Sequence, residues 1–196
     1  MGVQAMAHTL NPATAYPILD QLGAEARALA VLSVLSPSGG PGRQIVVHAG
    51  HYSLGSLGLS TDDLLPVTTS LRVGPSGRVM LAHLPSPLCE FVLTQPIPAG
   101  AGPGVLRHPA VVLRDLETVR MQGFAVGREE ITGWDSIAAP VLWADVLVGA
   151  VSVLMPAVLM RALPDSKPLV SATIAAAARL SELASAADGP EFSLTG

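Results

Sequence analysis

Two apolar runs rich in β-branched residues, 136–142 and 147–155, are separated only by residues 143–146. Runs of that length are too short for helices of their own, and β-branched side chains pack well on a pleated surface. So short a connection leaves little choice but an antiparallel hairpin, and its unbroken apolarity places that hairpin at the centre of a sheet. Around it the spacing predicts helices. Asn11 before Pro12 is a helix opening, followed by a stripe of Ala15, Ile18, Leu19, Leu22 and Ala26. His108 and Pro109 open another, with Val112, Leu116 and Val119 on one face and Gly123 as its C-terminal cap. Asp165, Ser166 and Pro168 open a last one carrying Leu169, Ala172, Ile174, Ala177, Leu180 and Ala184.

Further strands are expected at 29–35 and 44–48, joined by the Pro/Gly/Ser turn 36–42, and from Phe124 to Val126. Residues 71–85 read as a strand, a tight turn at Gly74 and Pro75, then a helix whose first turn includes Ser76 and Gly77. Residues 50–58 and 96–104 read as loops, Thr61, Asp62 and Asp63 as the cap of a short helical turn, and 188–196 as a frayed tail. Helices and antiparallel strands interleaved in this order give an α+β fold with one sheet flanked by helices. A single domain spanning 11–187 is expected.

Composition narrows the function classes. With 49% apolar and 13% charged residues the chain can fill a core without disulfide or metal. A net charge of −4, with 11 Lys and Arg against 15 Asp and Glu, lacks the basic excess of a surface that grips nucleic acid, so no direct nucleic-acid contact is expected. The single Cys89 excludes an internal disulfide framework and fits a reducing cytoplasm. The first ten residues lack the pattern of a secretory signal, and the uncharged run 146–160 is too short to span a bilayer and contains Pro156, so no membrane association is expected.

Few residues suggest chemistry on their own. His48 and His51 are two potential ligands with no acidic or thiol partner nearby, so no metal is expected. No dinucleotide fingerprint or phosphate loop occurs, and no cofactor is expected. Adjacent Glu129 and Glu130 point to opposite faces of a strand and cannot share a substrate atom, so they read as a solvated turn. Asp135 with His83 or His108 would be the acid and base of a small enzyme on the same scaffold, the alternative function, although no Gly-x-Ser-x-Gly elbow is present. Cys89 beside Glu90, without a basic neighbour, reads as a buried, inert thiol.

One stretch is more specific. Arg120-Met-Gln-Gly123-Phe124-Ala125, then Glu129-Glu130, then Gly133-Trp-Asp-Ser136-Ile-Ala-Ala-Pro-Val141 and Gly149-Ala-Val-Ser152-Val153, resembles the signature of the effector-binding domain of IclR-type transcription regulators. Gly77-Arg78-Val-Met-Leu-Ala82 is similar to a second block of that family, the Gly-Lys-x-x-Leu-Ala pocket helix. The resemblance implies a GAF-like fold, a curved antiparallel sheet flanked by helices, holding a small organic effector, and assembly as a homodimer or tetramer. It implies a non-enzymatic sensor, with Gly74, Pro75 and Ser76 above the effector and Ser136, Ser152 and Leu154 beneath it. A winged helix-turn-helix of roughly 60 to 70 residues, about one small domain, precedes this part in the family; this sequence is expected to lack one. Three departures stand out: Arg78 replaces the lysine, Pro75 removes an N–H donor from the turn, and Leu154 occupies a position that is polar where the effector is a small carboxylate. The last points to a less polar effector.

Overall fold

The computed structural model describes residues 10–36, 42–50 and 69–186. Its strands are β1 (Leu29–Leu35), β2 (Arg43–Gly50), β3 (Ala125–Ile131), β4 (Trp134–Trp143) and β5 (Val146–Pro156). Its helices are α1 (Pro12–Ala26), α2 (Gly74–His83), α3 (Ser86–Thr94), α4 (Pro109–Gln122), α5 (Ala157–Ala162) and α6 (Lys167–Ala186). The strands form one antiparallel sheet in the order β2-β1-β5-β4-β3, so the expected hairpin β4–β5 does lie at its middle. Its two-residue turn, Ala144 and Asp145, has φ of 45° and 65°, the left-handed pair that matches strand twist in a tight hairpin.

The sheet divides two apolar layers. On one face Ala30, Leu32, Val34, Ile137, Val151 and Val153 pack with Leu19 and Leu22 of α1 and Ala177 and Leu180 of α6. On the other, Ala125, Ala138 and Ala150 pack with Val79, Met80, Val92, Leu116 and Val119 of α2, α3 and α4. By length and composition α6 could cross a membrane, the one such helix among the described residues; its Leu169, Thr173, Ala176, Ala177, Leu180 and Ala184 are buried.

Several expectations need correction. Residues 71–73 are turn, not strand, and α2 starts at Gly74 itself, whose φ of 80° reverses the chain into the helix. β3 does not stop at Val126 but continues to Ile131. Helices α3 and α5 add to the elements expected from the sequence. In α6 the buried position is Thr173, whose hydroxyl donates to Leu169 O at 2.8 Å, whereas Ile174 is exposed. The loop 50–58, the cap at Thr61 to Asp63, His51 and the tail 188–196 lie wholly or largely outside the described residues.

Candidate functional site

Cross-strand partners share a face, so pairing register fixes which side chains lie beneath α2. Ser136 pairs with Leu154 on β5 and with Gly127 on β3. Ser152 pairs with Ala138 on β4 and with Val31 on β1, while Leu29 pairs with Leu154 and Ser33 with Ala150. Since Ala138 and Ala150 belong to the α2 side of the core, Ser136, Ser152, Leu154, Ser33, Val31 and Leu29 share that side. Ser136 and Ser152 are 7% and 4% exposed, and Ser76 is 8% exposed. Their hydroxyls make no hydrogen bond to any described residue, and neither do they count among the fully enclosed unpaired atoms. A buried hydroxyl normally has a partner, so three unengaged ones on converging elements mark a place where a polar ligand can be held.

Helix α2 is brought onto this face by glycine. A Cβ at residue 127 would lie 2.6 Å from Pro75 Cδ and 2.8 Å from Glu130 Oε1, so only Gly127 lets the first turn of α2 rest on β3 beside Ser136. A Cβ at residue 77 would lie 2.5 Å from both Arg43 Nη1 and Leu71 O. The predicted Gly74, Pro75 and Ser76 thus stand at the start of a helix lying over the face that carries the predicted Ser136, Ser152 and Leu154.

A charged cluster beside this helix start was not foreseen. The register between β3 and β4 shifts from Arg128 to Ile131, and Glu129 takes a φ of 48°. This bulge swings Glu130 inward to 3% exposure, so the two carboxylates are not a solvated turn. Glu130 Oε2 accepts from Gly74 N at 2.8 Å, and Oε1 from Arg78 Nη1 at 2.7 Å. Arg78 Nη2 donates to Val126 O at 2.6 Å, and Nε lies 2.9 Å from Asp115 Oδ2, an ion pair off the line of a hydrogen bond. Burial raises the Glu130 carboxyl above the usual range, against the opposing pull of Arg78, the Gly74 N–H and Arg43. Burial also lowers the buried Arg43 guanidinium to about 10, with Glu130 acting in the opposite direction. One clue was in the sequence: Arg78 interrupts the otherwise uncharged Gly-Pro-Ser-Gly-Arg-Val-Met-Leu-Ala. Arg43 carried no such signal.

Other candidates fall elsewhere. Asp135 is fully buried on the α6 side of the sheet, where Oδ1 accepts from Glu129 N at 2.9 Å and Oδ2 lies 3.5 Å from Arg161 Nε. It borders a cavity of about 330 Å³ with Arg128, Ile137, Met160 and Arg161. Glu129 pairs with Arg161, whose guanidinium draws its carboxyl below the usual range. His83 Nδ1 lies 2.9 Å from Val79 O within its own helix, and His108 stands exposed before α4. Neither makes a hydrogen bond or ion pair with a carboxylate among the described residues, the geometry an acid–base pair requires. No group of three metal-ligating side chains occurs among the described residues. Cys89 is buried, and burial raises its thiol although Arg120, a basic neighbour the sequence did not reveal, pulls the other way.

Comparison with known proteins agrees with this architecture. Residues 68–182 match the family described as bacterial transcriptional regulator IclR C-terminal. No curated protein matches. Among solved structures, a putative transcriptional regulator from Rhodococcus sp. RHA1 is similar with a TM-score of 0.73 and 21% identity, over 90% of this chain and 70% of that one. An IclR homologue from Microbacterium hydrocarbonoxydans, complexed with 4-hydroxybenzoate, gives 0.70 and 21% over 94% and 68%. The inducer-binding domain of the PobR transcription factor from Acinetobacter, a double mutant complexed with 3-hydroxybenzoic acid, gives 0.64 and 17% over 87% and 97%. With a family match over more than half its length, carried on the α+β sheet that the sequence led us to expect, the chain belongs to the family of IclR-type transcriptional regulator C-terminal domains.

Proposed function

We propose that this chain is a non-enzymatic effector-binding domain, holding a small organic molecule between the first turn of α2 and the sheet face of Ser136 and Ser152. The observation that carries this reading is the set of three buried hydroxyls, on Ser76, Ser136 and Ser152, unengaged by any described residue. Leu29, Val31 and Leu154 supply apolar area for a ring or short chain, and the serines fix its orientation. Two relatives of the same fold hold single-ring hydroxybenzoates, which sets the size of molecule to try first. The effector acts by binding two arrangements of the domain, or of a homodimer of it, with different affinity. In this reading the chain works in the cytoplasm and contacts neither nucleic acid nor membrane itself.

The test is binding of single-ring aromatics to wild type and to Ser136→Val and Ser152→Val, followed by calorimetry. Each lost hydrogen bond lowers affinity by about fivefold to tenfold if the hydroxyls touch the ligand. Equal affinity in all three proteins would remove Ser136 and Ser152 from the site.

A further inference from the structure

The cluster at the base of α2 bears on which effectors this site accepts, and the following rests on the effector-site reading above. We propose that the site selects an uncharged molecule, an apolar ring or chain carrying hydroxyl or carbonyl groups, over a carboxylate of the same shape.

Charge balance among buried groups sets this preference. Arg43 and Arg78 contribute two positive charges beside the start of α2, and Glu130 and Asp115 contribute two negative ones. These four sum to zero; Arg72, two residues before the helix start, gives its guanidinium to the carbonyl oxygens of Leu93, Gln95 and Arg107 instead. The start of a helix ordinarily attracts an anion because its first N–H groups are unengaged. Here the Gly74 N–H is given to Glu130 Oε2, and Pro75 has no N–H to give. Glu130 therefore already holds the first N–H of this helix start. A further anion would leave an uncompensated negative charge away from water, which is unfavourable even where hydrogen bonds are available. The serine hydroxyls make no such demand, since each can donate or accept. Leu154, directly across from Ser136, adds apolar surface where a further polar contact would help an acid. The raised carboxyl of Glu130 supplies an internal check: its protonation in mild acid leaves the cluster one positive charge in excess, which favours anions.

Titration calorimetry with methyl 4-hydroxybenzoate against 4-hydroxybenzoate, and with benzamide against benzoate, decides the matter on the wild-type protein. At pH 7.5 each uncharged member binds at least about tenfold tighter than its acid, and 4-hydroxybenzoate tightens as pH falls toward 5. The control is Ser152→Val, which weakens the uncharged probes. An acid that binds as tightly as its ester, and is weakened by Ser152→Val, overturns the selectivity and leaves the site intact. Binding unaffected by Ser152→Val, or no binding by any of the four probes, overturns the effector site and the selectivity with it.

Discussion

Glu130 shows how one residue can join a local backbone irregularity to the chemistry of a site. Its side chain turns inward only because Glu129 adopts a positive φ, and there it holds both Gly74 N–H and Arg78. Removing it by Glu130→Ala orphans a helix-start donor and leaves Arg78 with one carboxylate fewer, at a cost of about 3 kcal/mol in urea unfolding. Its pH dependence has a definite sign. Because burial raises the folded-state carboxyl above its unfolded value, the stability Glu130 contributes is complete below the unfolded pKa and is lost as pH rises through the folded one. Urea midpoints of the wild type therefore fall relative to those of Glu130→Gln as pH rises from 4.5; a gap that does not change with pH would contradict this. Beyond the lone charge of Arg78, none of this was legible in the sequence, because the cluster draws Arg43, Arg78, Asp115 and Glu130 from four separate segments and depends on a bulge that adjacent glutamates do not announce. Ser136 and Ser152 were singled out through the family resemblance alone, and the strand register puts them on a common side of the sheet.

At the scale of elements, legibility followed length and periodicity. Helices α1, α4 and α6 have capping residues and a clear apolar stripe. Helix α3 is only nine residues long and has no side-chain N-cap, and its one-turn stripe of Cys89, Val92 and Leu93 is flanked by exposed Leu88 and Phe91. Helix α5 is six residues long and directly continues from β5, so it merged with an apolar run. The central hairpin was the strongest signal, yet its turn is unusual: Ala144 occupies a left-handed position that favours Gly or Asn, at a strain of roughly 1 kcal/mol. Ala144→Gly is therefore expected to stabilise the domain by about 0.5–1 kcal/mol, measured by thermal unfolding. A loss of stability would mean that the Ala144 methyl makes contacts worth more than its strain.

For the whole molecule, the sheet separates two tasks. Its α1/α6 face is closed by apolar side chains and serves stability, while its α2 face adds the unengaged hydroxyls of Ser136 and Ser152 to an apolar layer. Asp135, Glu129 and Arg161 are placed across the sheet from the serines and bind one another, which accounts for their charge without a reaction. If the α2 face is the effector site, a ligand at one hundred times its dissociation constant adds about 2.7 kcal/mol to folding stability and raises the midpoint of thermal unfolding by roughly 5–10 °C. The most direct measurement is a crystal structure of the domain with the tightest-binding single-ring probe. The account predicts ligand density under the first turn of α2, with polar atoms within hydrogen-bonding distance of Ser136 or Ser152. Density on the other side of the sheet, in the cavity beside Asp135 and Arg161, would contradict it.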